Sequence, residues 1–331
     1  MSKEKLVSAL SKLRQAELGL FPTPLHRLKN MEAALSYDEI FIKRDDLTGL
    51  GPGGKKLRSL EFILGDALAA GADTIIAHGP GQSNLCATAA AACAKLGLKC
   101  ILIHNAEEPT HYEGNLLLNK VMDVESHFLG KVTQQERKRY ASQFTEKLRS
   151  QGKTPYEIKN GGTTGLGIIG HVKLALELAN QCEERGLSIK TIFAPAGNGS
   201  MAGLIYGNAL LGKPFNIVII SVERSRLELS EIMNGCIADA EKILQLPFDQ
   251  PLEDAATILD EYLGEGWGCN TPESAEAVRR MPRTEGIFIE NVYTSKVWVG
   301  LEDCLRKRKD WGGVCYLHTG GFSSLFSQMK F

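Results

Sequence analysis

The sequence has 331 residues, a net charge of −1, 43% hydrophobic residues and 23% charged residues. The near-neutral charge gives no electrostatic reason to expect binding to nucleic acid or to an acidic membrane surface, and no apolar run reaches the ~18 residues of a membrane-spanning helix. The length exceeds the roughly 250–300 residues at which a single hydrophobic core stops growing, so two lobes are expected.

Apolar runs alternate with amphipathic segments along the chain, which predicts alternating strands and helices. The predicted strands are 40–43, 74–77, 100–103, 156–158, 191–194, 217–222, 287–289 and 314–317. The predicted helices are 3–17, 56–70, 85–96, 112–125, 133–151, 168–185, 201–211, 228–245, 272–280 and 294–308. This alternation indicates an α/β fold with two open, twisted, mostly parallel sheets flanked by helices. Ligands of such sheets bind beyond the carboxyl ends of the strands.

The eight cysteines include no Cys-x-x-Cys pair, and their spacing indicates no metal site. The first residues, Met1–Leu6, lack the features of a signal peptide. Together these observations predict a cytoplasmic protein with reduced thiols.

A glycine-rich turn, Gly51–Gly54, leads into the helix that starts near Lys55 and Lys56. The positive end of a helix dipole lowers the pKa of a lysine, and a desolvated lysine can attack a carbonyl group to form a Schiff base. The alternative is a surface loop with two solvated lysines, the usual environment of this residue. A nucleoside-triphosphate loop is disfavoured: Gly49–Lys56 nearly fits that pattern, but Lys56 follows Lys55 where a hydroxyl residue would hold magnesium.

The segment Gly197–Ala202 follows a predicted strand and fits the pattern Gly-x-Gly-x-x-Gly/Ala, with Glu223 about 20 residues further on. Backbone N–H groups at the start of a helix bind any phosphate, and Ser200 adds a hydroxyl donor. The segment therefore indicates a phosphate site and leaves a nicotinamide dinucleotide open as an alternative.

Two more segments place polar side chains at the start of helices. Gly81–Asn84 can either cap the next helix or offer donors to a carboxylate or a phenolic oxygen. Val292–Lys296 contains a tyrosine and Thr294, which can equally be a cap. Four isolated aromatic or histidine residues could line a site, but for each one alone packing is the preferred interpretation: His78, Tyr262, Trp267 and His318.

These segments occur in a characteristic order along one chain. The segments that carry a family resemblance are Pro22–Leu25, Phe41–Asp46, Gly53–Arg58, Leu60–Phe62, Gln82–Asn84, Gly199–Leu204, Glu285–Gly286, Val292–Thr294 and His318–Gly321. Through them, nearly the whole sequence resembles the pyridoxal-phosphate enzymes of the tryptophan-synthase-β type (fold type II). Within that group it looks most like the D-cysteine desulfhydrase and aminocyclopropane-carboxylate deaminase family.

The resemblance implies pyridoxal 5'-phosphate as cofactor, bound in the cleft between two lobes, and suggests a homodimer that acts on a small amino acid. We expect a large cofactor-binding domain of residues 1–48 plus 167–331 and a small domain of residues 49–166.

The resemblance also implies roles for single residues. Lys56 would form the Schiff base, Asn84 would bind the phenolic oxygen of the cofactor, and Tyr293 would lie beside the Schiff base. The expected catalytic residues are Lys56, Ser83 and Tyr293. The expected cofactor-binding residues include Lys56 and Asn84 in these roles. Asn198, Gly199 and Ser200 are expected at the phosphate, and Thr294 and Thr319 at the pyridine nitrogen. The expected substrate-binding residues are Gln82, Ser83, Asn84, Tyr262 and Tyr293.

The deaminase branch looks different at two matched positions, with glutamate where Thr294 stands and leucine where Thr319 stands. A hydroxyl does not enforce a protonated ring nitrogen as a carboxylate does, so this chain resembles the desulfhydrase branch. The expected reaction is β-elimination from a β-substituted amino acid, in which the freed Lys56 amine, with Ser83 or Tyr293, removes the α-proton. Pyruvate and ammonia are the expected products.

The chain departs from the family pattern at Lys55, where the family has asparagine, and at Leu85, where it has histidine or glutamine. The added cation could favour an anionic β-substituent such as a sulfonate, so L-cysteate sulfo-lyase activity is an alternative, beside aminocyclopropane-carboxylate deaminase activity. Alternatives from other classes are an NAD-dependent oxidoreductase and a non-catalytic protein that binds pyridoxal phosphate or an amino acid.

Overall fold

The computed structural model describes residues 3–328 and confirms the expected α/β fold with two mostly parallel sheets. The strands are β1 Leu25–Arg27, β2 Ile40–Arg44, β3 Thr74–Gly79, β4 Lys99–His104, β5 Glu125–Phe128, β6 Pro155–Ile158, β7 Ile189–Ala196, β8 Asn216–Ser221, β9 Thr257–Leu259 and β10 Gly313–His318. The helices are α1 Lys3–Ser11, α2 Lys29–Leu35, α3 Lys56–Ala69, α4 Asn84–Leu96, α5 Gly114–Val121, α6 Gln134–Ser150, α7 Gly165–Arg185, α8 Ala202–Leu210, α9 Arg226–Leu244, α10 Leu252–Ala255, α11 Pro272–Glu285, α12 Thr294–Lys307 and α13 Phe322–Gln328.

The larger sheet has six strands in the order β1-β2-β10-β7-β8-β9. All of its neighbours pair in parallel except β1 and β2, which are antiparallel. The smaller sheet has the order β5-β4-β3-β6 and is parallel throughout. Its strands come from residues 74–158, and those of the larger sheet come from 25–44 and 189–318. The domain boundaries that we expect from the sequence are compatible with this division and stay a prediction.

Helices cover both faces of the larger sheet, so its central strands are apolar on both sides. On β7, Ile192 packs into the core formed with α7, α8 and α9. The next residue, Phe193, packs into the core formed with α2, α11 and α12. In the smaller sheet, every residue of β3 is buried. Strands buried in this way are rigid, so the loops at their carboxyl ends start from fixed points.

Some predicted elements are wrong. Residues 287–289 form no strand. Ile287 and Ile289 are apolar because they pack into the core beneath α12 as part of an irregular segment. The predicted helix 3–17 ends at Ser11, and the predicted helix 112–125 contains only α5 before the chain turns into β5. The missed strands β1, β5 and β9 have three or four residues, too few for a clear alternation.

Among residues 3–328, no helix combines the length and the apolar character needed to cross a bilayer.

Candidate active site

The loops at the carboxyl ends of β3, β7 and β10 meet the glycine turn before α3 around one cavity of about 330 Å³. This is the location that open parallel sheets favour for ligands. The sequence-predicted site residues that line the cavity are Lys56, Gln82, Ser83, Asn84, Asn198, Ser200, Tyr293 and Thr319. Residues that are far apart in sequence are thus brought together at one place.

Lys56 is the first residue of α3, and its Nζ donates a hydrogen bond to the backbone oxygen of Gly161, 2.9 Å away. Burial lowers the pKa of Lys56 to about 8, and the positive end of α3 acts in the same direction. A large part of this amine is therefore neutral near pH 8, and a neutral amine is the form that attacks a carbonyl carbon.

Lys55 lines the same cavity, but its amine has a different partner. Its side chain is only 7% exposed, and its Nζ donates to the backbone oxygen of Pro195 at 3.3 Å. Burial, together with the charge of the neighbouring Lys56, lowers the pKa of Lys55 to about 7. The alternative interpretation, a surface loop with two solvated lysines, is therefore wrong. The two amines donate to different segments, that of Lys56 to Gly161 and that of Lys55 to the end of β7.

A buried cluster of charges anchors the helix that carries Lys56. Arg58 donates to both oxygens of Asp45 at 2.7 Å, and it bonds the two oxygens of Glu177 at 2.9 and 3.0 Å. Lys43 also contacts Glu177. Burial by itself raises the pKa of Asp45, but the charge and hydrogen bonds of Arg58 outweigh it, and the resulting pKa is lowered. The cluster ties α3 to α7 and to the end of β2, which fixes the position of the Lys56 helix.

The segment after β7 is built to receive an anion. The side-chain oxygen of Asn198 accepts a hydrogen bond from the Gly199 amide at 3.1 Å, and a 3₁₀ turn then leads into α8. A β-carbon on Gly199 would lie 2.9 Å from the Ile232 side chain, so only glycine fits. Gly199 lies behind the cavity wall, whereas Asn198 and Ser200 line it.

Thr163 adds a donor that the sequence analysis missed. Its Oγ1 is buried and has no hydrogen-bond partner in the part of the chain that the structure describes. The residue lines the cavity, and its methyl group lies 3.2 Å from the position of a β-carbon on Gly199. A buried hydroxyl without a partner is costly, and a phosphate held at Asn198–Ser200 would satisfy it.

The segment Gln82–Asn84 is both a helix cap and a wall of the cavity. The Ser83 hydroxyl accepts from the Cys86 amide at 3.2 Å, which caps α4. Both ends of the Gln82 amide are bonded to the start of α5, so Gln82 orients this wall. Asn115 donates to the Asn84 side-chain oxygen at 2.7 Å. This bond leaves the amide nitrogen of Asn84 as the group available to a ligand.

Tyr293 lines the cavity, and its hydroxyl accepts a hydrogen bond from Trp267 Nε1 at 2.9 Å. Burial raises the pKa of the Tyr293 hydroxyl, so it stays protonated. The buried carboxylate of Glu290, which the sequence analysis missed, accepts the amides of Val292, Tyr293 and Thr294 at 2.7–2.8 Å. Glu290 therefore shapes the start of α12, and its oxygens are occupied by the backbone.

The structure does not bring every expected residue to the cavity. Thr294 is fully buried, and its hydroxyl bonds Glu290, while its expected contact with a pyridine nitrogen stays a prediction. Thr319 does line the cavity. Tyr262 lies in a separate cavity of about 430 Å³, and its hydroxyl bonds Asp303 at 2.5 Å. Its expected role in substrate binding stays a prediction.

Two of the isolated side chains also line the main cavity. Trp267 does so through its bond to Tyr293, and His78 lies at the end of β3 beside Arg137 and Asn105. His318 instead bonds the Phe288 backbone oxygen at 2.8 Å and acts as a packing residue.

Comparisons with known proteins agree with this geometry. A family model described as "Pyridoxal-phosphate dependent enzyme" matches residues 16–320. A protein of Pyrococcus horikoshii, provisionally named a 1-aminocyclopropane-1-carboxylate deaminase, is 35% identical over 322 residues and is aligned over 97% of this chain and 96% of its own length. A crystal structure of an ACC deaminase homologue has a TM-score of 0.88 at 34% identity, covering 99% of this chain and 97% of that one. A threonine deaminase from T.th. shares the fold, with a TM-score of 0.63 at 18% identity over 97% of this chain and 98% of that one.

The family match and the structural likeness show that the chain is a pyridoxal-phosphate-dependent enzyme of fold type II. Within that class the chain belongs to the aminocyclopropane-carboxylate deaminase and D-cysteine desulfhydrase family. Its cofactor is pyridoxal phosphate, and the nicotinamide alternative is set aside.

The residues present fit this cofactor. The Thr163 hydroxyl and the segment Asn198–Ser200 suit its phosphate, and the neutral form of Lys56 suits its carbonyl carbon. Asn84 and Thr319 line the cavity and can bind the polar atoms of its ring. We expect these residues to hold it.

Proposed function

We propose that the protein catalyses β-elimination from a small β-substituted amino acid, as a D-cysteine desulfhydrase does, and releases pyruvate and ammonia. The observation that carries the proposal concerns the segment from Glu290 to Thr294. Glu290 lines the cavity, but its carboxylate accepts three backbone amides, and Thr319 lines the cavity just after β10. This arrangement supports a hydroxyl rather than a carboxylate facing a ring nitrogen.

Bound pyridoxal phosphate supplies an electron sink for a carbanion. The protein must then place an α-carbon next to a base. Lys56 is suited to take the α-proton, because burial leaves its amine partly neutral near pH 8. The first turn of α4 has free backbone N–H groups that can bind the α-carboxylate, and the Ser83 hydroxyl is close enough to that turn to cap it and to relay a proton.

The bonds and charges of the proposed reaction balance without an oxidant. The Cα–H bond gives its proton to Lys56, and its electron pair becomes part of a double bond to the β-carbon. The bond from the β-carbon to its substituent breaks, and the substituent leaves with that electron pair. Water then converts the released enamine to pyruvate and ammonia.

A second candidate is aminocyclopropane-carboxylate deaminase activity, which the provisional name of the Pyrococcus horikoshii relative favours. The two reactions have different products, because a deaminase releases 2-oxobutanoate from aminocyclopropane-carboxylate. On the family resemblance we also propose that the protein is cytoplasmic and forms a homodimer. Light scattering of the purified protein would test the dimer.

The neighbouring lysines provide a matched test of the proposed base. We expect Lys56→Ala to lower kcat/KM for pyruvate release from D-cysteine by about 10³-fold or more. Borohydride treatment followed by peptide mapping should fix the cofactor to Lys56 in the wild type and in the control variant Lys55→Ala. Wild-type turnover by Lys56→Ala would eliminate the assignment. Release of 2-oxobutanoate from aminocyclopropane-carboxylate, with no pyruvate from D-cysteine, would favour the deaminase. Bound cofactor without exchange of the α-proton would favour a non-catalytic protein.

A further inference from the structure

Arg137 is a buried cation at the small-sheet end of the active-site cavity. It lies in the first turn of α6, is 6% exposed, and lines the cavity together with His78, Asn105 and Gln134. The next basic residue on the exposed side of the same helix, Arg139, is open to solvent. The helix therefore turns one specific arginine inward.

Arg137 contacts an amide and an imidazole. Its Nη1 donates to the Asn105 side-chain oxygen, and its Nε lies 3.4 Å from His78 Nδ1. No carboxylate among residues 3–328 lies within ion-pair distance of it. The nearby acid, Glu157, faces the far side of His78, with 3.4 Å between His78 Nε2 and Glu157 Oε1. The imidazole thus separates the guanidinium from the carboxylate.

A buried charge normally has a partner of opposite charge, because desolvation without one is expensive. Burial lowers the pKa of Arg137, because it disfavours the charged form. An arginine nevertheless remains charged in proteins. The partner is therefore expected to arrive with a ligand. The planar guanidinium binds a carboxylate, sulfonate or phosphate through two parallel hydrogen bonds.

The position of Arg137 suits the side chain of a substrate. Burial raises the pKa of the Cys86 thiol to about 11, and Ser83, Arg137 and Lys56 each act in the opposite direction. Both cations therefore lie within electrostatic reach of one residue in the first turn of α4. The amides of that turn are the expected α-carboxylate site, so Arg137 remains for a second anionic group.

We propose that Arg137 selects amino acids whose β-substituent is anionic, with a sulfonate as the best-fitting group. The inference rests on the proposed β-elimination and names its substrate class. In that reaction cysteate loses its α-proton, and its carbon–sulfur bond breaks so that sulfite leaves with the electron pair. The sequence analysis connected such a preference with Lys55, which also lines the cavity, but Lys55 Nζ already donates to the Pro195 backbone oxygen at the end of β7. Arg137 is the group whose position explains it.

The test compares an anionic with a neutral substrate. Cysteate and β-chloroalanine, each in D and L forms, are assayed by pyruvate release with the wild type, with Arg137→Met, and with the exposed control Arg139→Met. We expect Arg137→Met to lower kcat/KM for cysteate by about 100-fold, the usual result of removing one member of a desolvated charge pair. Turnover of β-chloroalanine should stay close to wild type in both variants, and Arg137→Gln should reproduce Arg137→Met.

The outcomes separate this inference from the proposed function. If Arg137→Met lowers the turnover of both substrates equally, Arg137 binds the α-carboxylate. If it lowers the turnover of neither, Arg137 selects no anion. Either result overturns the inference and leaves β-elimination in place. If no substrate yields pyruvate, the proposed function falls. The inference is then decided by melting temperature, which cysteate must raise in the wild type and in Arg139→Met but not in Arg137→Met.

Discussion

The structure buries two arginines in contrasting surroundings. Arg58 holds two carboxylates, Asp45 and Glu177, through a full set of hydrogen bonds. Arg137 is buried almost as deeply but contacts an amide oxygen and an imidazole. The first arginine has its counter-charges built into the fold, and the second has none in the described part of the chain.

This difference in pairing indicates different roles for Arg58 and Arg137. A buried cation with complete pairing stabilises one arrangement of the chain, here the placement of α3 and Lys56 against α7. A buried cation without pairing raises the free energy of the folded state, and a fold retains it when a ligand recovers that cost. The two sites therefore predict opposite consequences when the charge is removed.

The largest expected effect is on the paired site. We predict that Arg58→Met lowers the free energy of unfolding by about 3–5 kcal/mol, because Asp45 is left buried without an ion-pair partner and Glu177 keeps only Lys43. Urea unfolding monitored by circular dichroism measures this loss. The exposed control Arg139→Met should stay within about 0.5 kcal/mol of wild type. A loss below about 1 kcal/mol in Arg58→Met would remove the contrast between the two sites.

A smaller effect is expected from the pH dependence of the same cluster. The pKa values of Asp45 and Glu177 are lowered in the folded state, because Arg58 outweighs the opposing effect of burial. Their contribution is thus complete above the unfolded pKa of about 4 and is lost as the pH falls through the folded values. We predict that Asp45→Asn costs about 1–3 kcal/mol at pH 7. Its unfolding free energy should also fall less steeply than that of wild type below about pH 4. Parallel curves for the two proteins would show that Asp45 carries no such linkage.

The sequence revealed those parts of the site that follow local patterns. The turn before α3, the segment Gln82–Asn84 and the segment after β7 each combine glycine or small polar residues with a strand-to-helix transition. Such signals depend on neighbours in the chain. The alternation of strands and helices predicted the two sheets for the same reason, while short strands such as β9 lack a pattern long enough to detect.

The missed residues depend on contacts that are distant in sequence. Arg58 and Glu177 are 119 positions apart, so no local pattern shows that they pair. Arg137 lies in a run of three basic residues, and packing of α6 against the smaller sheet decides which of them faces inward. The hydrogen bonds of Thr294 with Glu290 and of Tyr262 with Asp303 were likewise not visible in the sequence, because the direction of a hydroxyl depends on its partner in the folded chain.

The smallest expected effect is also the sharpest test of the comparison, because its sign should reverse with ligand. Without ligand, we predict that Arg137→Met raises the free energy of unfolding by about 1 kcal/mol, since an unpaired buried charge is replaced by an apolar side chain. With cysteate at about ten times its Kd, the wild type should gain about 1.4 kcal/mol through binding to the folded state alone, and the variant should gain none. Urea unfolding of the holoenzymes with and without cysteate measures both differences. A variant that is less stable than wild type in the absence of ligand would make Arg137 a structural residue like Arg58, and the contrast from which its role is inferred would disappear.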